Sequence, residues 1–391
     1  MNVLIVSSSD GITLSLLRCL GIVGVKVHVI NIWKSACSSR LSRFCTHYLN
    51  SPLSEAPIDT GEITALINNY CDRNNIEVVM ASGLLSTFLI AKIKSKITSA
   101  PVFPVPSPEQ LYNLHNKWVF YKFLKENQIP TPETRLIEKP EQLESLNLVF
   151  PIIVKPLAEG NSNGVQKINS AAELENYVAI VTQSNKLPIL IQDYIDGEDW
   201  LLNILADKGK VVAWTINRRI PYFFEFFKND EILKIAEKIV SLSNYSGVAN
   251  FDIRFDKCNN SVKVIECNPR FWASFSASVY YGVDFIRMGI LLAQKKEIPS
   301  NSKRDVTELE IFPYPTPNTF IKGLLRGKYL IWKAKKFKTD LAWQSILDPL
   351  PSVYEKIWHK LEVFIINDDG ERIQELLNDD RVNNSPDSFM L

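Results

Sequence analysis

From residue 1 to about 108, short apolar runs alternate with amphipathic stretches. Val3 to Val6, Val25 to Ile30 and Glu77 to Met80 read as strands, and Ile12 to Leu20 and Glu62 to Arg73 read as helices. This alternation predicts a doubly wound α/β unit on a small parallel sheet. Pro101, Pro104, Pro106 and Pro108 mark a stiff boundary, with Ser107 as an N-cap and Pro108 in the first turn. They predict a helix from Glu109 to about Asn127, carrying Lys117 near its middle and ending at Gln128-Ile129-Pro130-Thr131-Pro132.

Residues 134 to 196 form a small strand-rich pattern: strands Leu148 to Lys155, Val165 to Ile168 and Ile189 to Ile195, with a helix started by the capping box Ser170 to Glu173. Between the first two strands lies Ala158-Glu159-Gly160-Asn161-Ser162-Asn163-Gly164, a two-glycine loop able to turn backbone N–H groups toward phosphates, with Lys155 on the strand before it. The same pattern also suits a plain hairpin loop. A hairpin of Leu201 to Leu205 and Val211 to Ile216 and a helix from Asp230 to Ser243 follow.

Phe251 to Phe255 and Val262 to Cys267 then alternate with period two around the turn-rich Lys257 to Ser261. A turn centred near Asn259 sets Asp252 opposite Glu266 and Arg254 opposite Val264. Asp252, Glu266 and Asn268 then share one face, while Ile265 and Cys267 point into a core. Facing carboxylates repel unless a cation lies between them, and an all-oxygen set suits magnesium or manganese rather than zinc. Pro269 ends the strand and sets Arg270 beside that face, where a guanidinium can clamp a phosphate or an oxyanion. The bland alternative is a solvated sheet face whose acids pair with Arg254 and Lys263.

The chain has 391 residues, 46% of them hydrophobic, enough for two or three packed units. A net charge of +1 gives no reason to expect a nucleic-acid partner. The opening residues read as a first strand rather than a leader, and no run reaches eighteen apolar residues, so the expected location is cytoplasmic. The six cysteines and four histidines lack disulfide or zinc spacing. The loop Ser7 to Gly11 lacks a dinucleotide fingerprint, and Ser38, Ser39, Arg40 and Arg43 could hold a substrate carboxylate or be ordinary surface loop.

In this order the pieces resemble the ATP-grasp superfamily, which includes D-alanine-D-alanine ligase, biotin carboxylase and the carbamoyl phosphate synthetase large subunit. Ile265-Glu266-Cys267-Asn268-Pro269-Arg270 is similar to the family's Glu-x-Asn-x-Arg signature, and the likeness covers roughly residues 1 to 300. It implies an α/β ATP-grasp fold divided into a parallel-sheet pre-ATP-grasp domain (1–108), a linking helix (109–133), an α+β lid (134–196), an antiparallel-sheet catalytic subdomain (197–300) and a C-terminal helical region (301–391). It implies that Asp252, Glu266 and Asn268 hold Mg2+ or Mn2+ on ATP, and that Lys117, Lys155, Gly160, Ser162 and Gly164 meet the phosphates. Gln192, Asp193, Tyr194 and Ile195 would form the adenine hinge, Asp199 or Glu198 would take the ribose, and Arg270, with Lys155, would serve catalysis.

The implied reaction activates a carboxylate as an acyl phosphate and passes it to an amine, with ADP and phosphate released. A carboxylase or carbamoyl-phosphate-type activity and a non-catalytic ATP-binding module are the alternatives. Substrate contacts would come from residues 1 to 108 and from around Arg218, Arg219 and Trp272. The partners expected are small molecules, and oligomeric state is left open, a homodimer included. Residues 322 to 338 hold many bases and no acid. A helix packed on the main body with solvated lysines is expected there ahead of a membrane-surface helix, and another helical pattern runs from Val353 to Leu361.

Overall fold

The computed structural model describes residues 1–33, 37–51, 60–157, 164–220, 223–298, 310–313, 347–351 and 354. Strands β1 (Asn2–Ser7), β2 (Lys26–Asn31), β3 (Cys45–Asn50) and β4 (Val78–Ser82) form a sheet in the order β3-β2-β1-β4, every pair parallel. Helix α1 (Asp10–Ile22) covers one face, and α2 (Thr60–Asn74) and α3 (Leu84–Ile93) cover the other. Sequence patterning misses β3, an edge strand with little alternation, and α3, in which all residues from Leu85 to Ala91 are buried so that no polar face sets a period.

The expected single helix after the proline boundary is two: α4 (Pro108–His115) and α5 (Lys117–Glu126). Asn116 between them has an extended backbone, and its side chain accepts from the amides of Trp118 and Val119, both at 3.1 Å. Capping restarts the helix, so Lys117 stands at the first position of α5 rather than in mid-helix.

A second sheet, in the order β5-β8-β6-β7, joins β5 (Thr134–Ile137), β6 (Ile152–Pro156), β7 (Gln166–Ile168) and β8 (Ile189–Asp193) and packs against α6 (Ala171–Gln183). The third is antiparallel, in the order β13-β12-β9-β10-β11-β14. Its strands are β9 (Gly197–Asp207), β10 (Lys210–Ile220), β11 (Phe223–Phe227), β12 (Gly247–Asp256), β13 (Ser261–Asn268) and β14 (Glu310–Pro313). Helix α7 (Asp230–Leu242) and the apolar side of α5 cover one face through Trp200, Leu202, Ile204, Phe251 and Ile253. Toward one end of the opposite face, Leu205 and Val248 join the core that holds α1, α8 (Phe275–Tyr281) and α9 (Phe285–Ala293). The parallel and antiparallel sheets thus share one body of apolar side chains.

Asp252 faces Glu266 as the alternation predicts, but Ile253 pairs with Val264 and Arg254 with Lys263. The register slips by one at Ile265, a β-bulge. The bulge corrects the expected facing of Ile265: Val262, Val264 and Cys267 are core, whereas Ile265 is half-buried. Lys155, Asp252 and Glu266 are described, but Gly160, Ser162, the 322 to 338 segment and nearly all of the Val353 to Leu361 pattern lie outside the described residues.

Gly197 pairs with Asp256 where β9 and β12 approach closely, and a Cβ there would lie 1.8 Å from the Phe255 carbonyl oxygen. Gly197→Ala is expected to destabilise the protein by about 3 kcal/mol, because the clash is with backbone and not with a movable side chain. Urea unfolding measures it, and an unaltered midpoint would contradict the close approach.

Candidate functional site

Three elements converge on the face of the third sheet opposite Phe251 and Ile253. From β12 and β13 come Asp252 and Glu266, cross-strand partners joined by a hydrogen bond between their side chains. Asn268, at the end of β13, lies two residues further on along the same face, opposite Asn250. From the second sheet comes Lys155, 4% exposed, and from the start of α5 comes Lys117, whose charge acts on both Lys155 and Glu266.

The electrostatics are those of two acids that cannot both ionise without help. Burial pushes the Asp252 carboxyl well above the usual carboxylate range, and the Glu266 charge and their shared hydrogen bond push further. Burial would also raise Glu266, but Lys117 and Lys155 outweigh it and hold Glu266 below its usual value. The pair as a whole therefore resists losing both of its protons. The bland alternative is corrected here: Arg254 pairs with Asp199 at 2.6 Å and donates to the Ile195 carbonyl at 3.0 Å, and no ion pair joins it to either buried acid.

Among the described residues no cluster of three or more His, Cys, Asp or Glu side chains occurs. Two carboxylates and one amide oxygen nonetheless fit a magnesium-type ion, which is commonly held by one or two carboxylates with substrate oxygens and water completing its shell.

Among the described residues, Lys155 meets no carboxylate in an ion pair. Its Nζ donates to Gln192 Oε1 at 3.0 Å, and Gln192 Nε2 donates to Thr134 Oγ1 at 2.8 Å. Burial brings the Lys155 pKa down to about 8, the charge of Lys117 adding to the fall and Glu266 and Asp252 opposing it. Arg270 stands just past β13, donating to the Phe271 carbonyl at 2.9 Å and to Asn268 Oδ1 at 3.3 Å.

Asp193 ends β8, and Tyr194 and Ile195 continue from it. The Asp193 amide donates to the Glu133 carbonyl and its carboxylate pairs with Arg135, while Lys167 lies 3.8 Å from the Tyr194 ring centre. Asp199 and Glu198 separate cleanly. Asp199 shares the Asp252 face, whereas Glu198 lies on the other face, bonded to Arg218, Lys257 and Trp200. Glu198 is thus removed from the site, and so is Arg218, which also pairs with Glu225. Trp272 is 4% exposed in the core against Phe275 and Phe285. Gly164 is the described end of the two-glycine loop, and its carbonyl accepts from Tyr177 at 3.1 Å.

The Ser38 to Arg43 region does grip carboxylates, but they belong to the chain. Asp10 accepts from the Ser38 amide at 2.7 Å and the Ser39 amide at 2.9 Å. Asp348 accepts from Arg18 Nε at 3.1 Å, Ser42 Oγ at 2.8 Å and the Arg43 amide at 2.8 Å. His115 is a site residue that sequence reasoning missed. It precedes the capping Asn116, and burial with the charges of Arg270 and Lys117 brings its pKa down to about 4.

Comparison with known proteins matches residues 114–274 to the ATP-grasp domain family. The multifunctional protein pyr-3 of Neurospora crassa is 26% identical over 202 residues, 46% of this chain and 11% of that protein. D-aspartate ligase of Enterococcus faecium is 23% identical over 233 residues, 51% of this chain and 55% of its own length. The chain therefore spans less than two thirds of either relative. Among solved structures, L-amino acid ligase from Bacillus licheniformis superposes with a TM-score of 0.55 at 20% identity, over 75% of this chain and 73% of that one, a likeness of fold.

A lysine grips phosphate only as a cation, so phosphate bound at Lys155 would favour that form. Affinity for ADP is therefore expected to be highest below pH 8, and to fall above the Lys155 pKa of about 8, by about tenfold per unit at the limit. Gln192→Glu, which gives the ammonium a carboxylate partner, should move the fall to higher pH. Calorimetric titration from pH 6.5 to 9.5 measures both, and a flat profile in the unaltered protein would remove Lys155 from the phosphate site.

Proposed function

We propose, from the premise that this chain carries an ATP-grasp domain, that it is an ATP-dependent ligase joining a carboxylate to an amine. The observation that carries the reading is the Asp252–Glu266 pair, flanked by Asn268 and Arg270 and faced by Lys155 and Lys117. The names of the ligases it is similar to favour an amino acid as one of the two substrates.

In this reading the Gln192 to Ile195 segment receives adenine through the backbone of Asp193 and Ile195, and Asp199 takes the ribose. Lys117 and Lys155 hold the phosphates. Asp252, Glu266 and Asn268 would hold one or two Mg2+ ions, or Mn2+, which when bound supply charge to the triphosphate and to the transferring phosphoryl group. A substrate carboxylate oxygen attacks the γ-phosphorus, the bond to ADP breaks, and an acyl phosphate forms. The amine nitrogen then attacks the acyl carbon, phosphate leaves with the bonding pair, and the amine proton goes to solvent or to that phosphate. Arg270 faces the charge that develops on the acyl oxygens.

Amino acids and small carboxylic acids, screened in pairs for stimulated phosphate release, test the reaction class, and no stimulation by any pair would argue for a binding module. With a working pair, Glu266→Ala is expected to lower magnesium-dependent turnover by roughly a hundredfold or more while circular dichroism stays unaltered. Retained turnover would end the metal assignment. Arg270→Lys keeps the charge and loses the planar fork, so ADP affinity should persist while turnover falls roughly a hundredfold. Lost ADP affinity with turnover per bound nucleotide preserved would make Arg270 a nucleotide anchor instead.

A further inference from the structure

Between the carboxylate pair and the apolar end of the same sheet face runs a row of polar side chains crossing four strands. Asn268 of β13 donates through Nδ2 to Asn250 Oδ1 at 3.4 Å, and Asn250 of β12 donates through Nδ2 to Asn203 Oδ1 at 3.0 Å. Asn203 of β9 donates to Thr215 Oγ1 and Asn217 Oδ1 on β10, both at 3.1 Å, and Thr215 shares a 2.9 Å bond with Ser278 of α8. Asn203 and Thr215 are 0% exposed, Asn217 1% and Asn250 4%. Four buried amides and hydroxyls in a sheet interior need a reason, because apolar residues of similar volume would fill the space without any hydrogen-bonding requirement.

The polarity of the row supplies one. An amide has a donor end and an acceptor end, so each bond fixes the orientation of the next. Arg270 carries only donors and meets the Oδ1 end of Asn268. A reversed row would aim the Asn268 NH2 at that guanidinium, donor against donor. The row therefore runs one way, and its outcome is an Asn268 oxygen directed toward Arg270, with the NH2 drawn to Asn250.

We propose that Asn250 and Asn203 are positioning residues that fix the Asn268 amide with its NH2 toward Asn250 and its oxygen on the Arg270 side, so that the oxygen is offered to a divalent cation without rotameric search. The inference rests on the metal role proposed above for Asn268. Neither residue touches the cation or the substrate. They act through Asn268, as partners behind a metal ligand do elsewhere, where their loss typically costs about tenfold to a hundredfold in metal affinity.

Mn2+ binding to the ADP-loaded protein, read by electron paramagnetic resonance of the free ion, tests it without any need for turnover. Asn250→Leu keeps the branching and heavy-atom count of asparagine but cannot accept from Asn268, and is expected to weaken Mn2+ binding by about tenfold or more. Asn203→Leu should act in the same direction. Asn250→Asp still accepts from the Asn268 NH2, with Asn203 turning its own NH2 toward the new carboxylate, and should keep Mn2+ affinity even if its melting temperature falls. Lost affinity in Asn250→Asp to the same degree as in Asn250→Leu would overturn the inference and leave the row a purely structural one. Unaltered affinity in Asn250→Leu, beside lost affinity in Glu266→Ala, would also overturn it while sparing the metal reading. Unaltered affinity in Glu266→Ala as well would remove the metal reading, and the inference with it.

Discussion

Two carboxylates face each other across β12 and β13 on a half-buried surface, and much else in the molecule is arranged around that repulsion. Without compensation the pair strains the hairpin that carries it. The protein supplies part of the compensation through Lys155 and Lys117, which lower the pKa of Glu266, and part through the raised proton affinity of Asp252. Neither lysine is local to the hairpin. Lys155 arrives on the second sheet and Lys117 at a helix start, so the balance of charge is also a constraint on how the three bodies of the fold meet.

That meeting is set by apolar packing. One face of the antiparallel sheet is closed by α7 and by Phe120 and Leu124 of α5, which locks the start of α5 beside the hairpin. The other face is divided. Its far end, at Leu205 and Val248, shares a core with the parallel sheet, and its near end carries Asp199, Asp252 and Glu266. The amide row through Asn203 and Asn250 lies at the frontier, where a fully apolar strip would leave the NH2 of Asn268 unpaired and a charged one would face desolvation inside the core.

Much of this was legible in the residues. Strict alternation gave β12 and β13 and the Asp252–Glu266 pairing, since a one-residue slip along the whole hairpin would have turned every apolar side chain outward. The bulge at Ile265 was not legible, because an inserted residue leaves the turn composition unchanged and alters only which residues oppose one another beyond it. The break before Lys117 was hidden for a different reason. Asn116 is an ordinary residue on a helical pattern until its side chain is seen to accept from two amides. Glu198 and Asp199 could not be told apart without the register, because adjacent strand residues differ in face and not in chemistry. His115 carried no signal at all, being one scattered histidine with no partner at a telling spacing.

Lys155 shows how one substitution of chemistry propagates. A glutamate at position 192 would neutralise the buried ammonium and leave it charged across the neutral range. Glutamine can only accept one hydrogen bond from it and pass the other end of its amide to Thr134. Its positive charge then rests on a balance among the protein's own groups: Glu266 and Asp252 raise its pKa, but burial and Lys117 bring it to about 8. A phosphate brought near would supply the missing counter-charge, and a cation at Asp252 and Glu266 would withdraw some of the support those acids give. A cation at the acid pair and a phosphate at Lys155 would therefore be coupled with opposite sign, and would favour one another only where they meet each other directly, as they do in a metal–nucleotide complex.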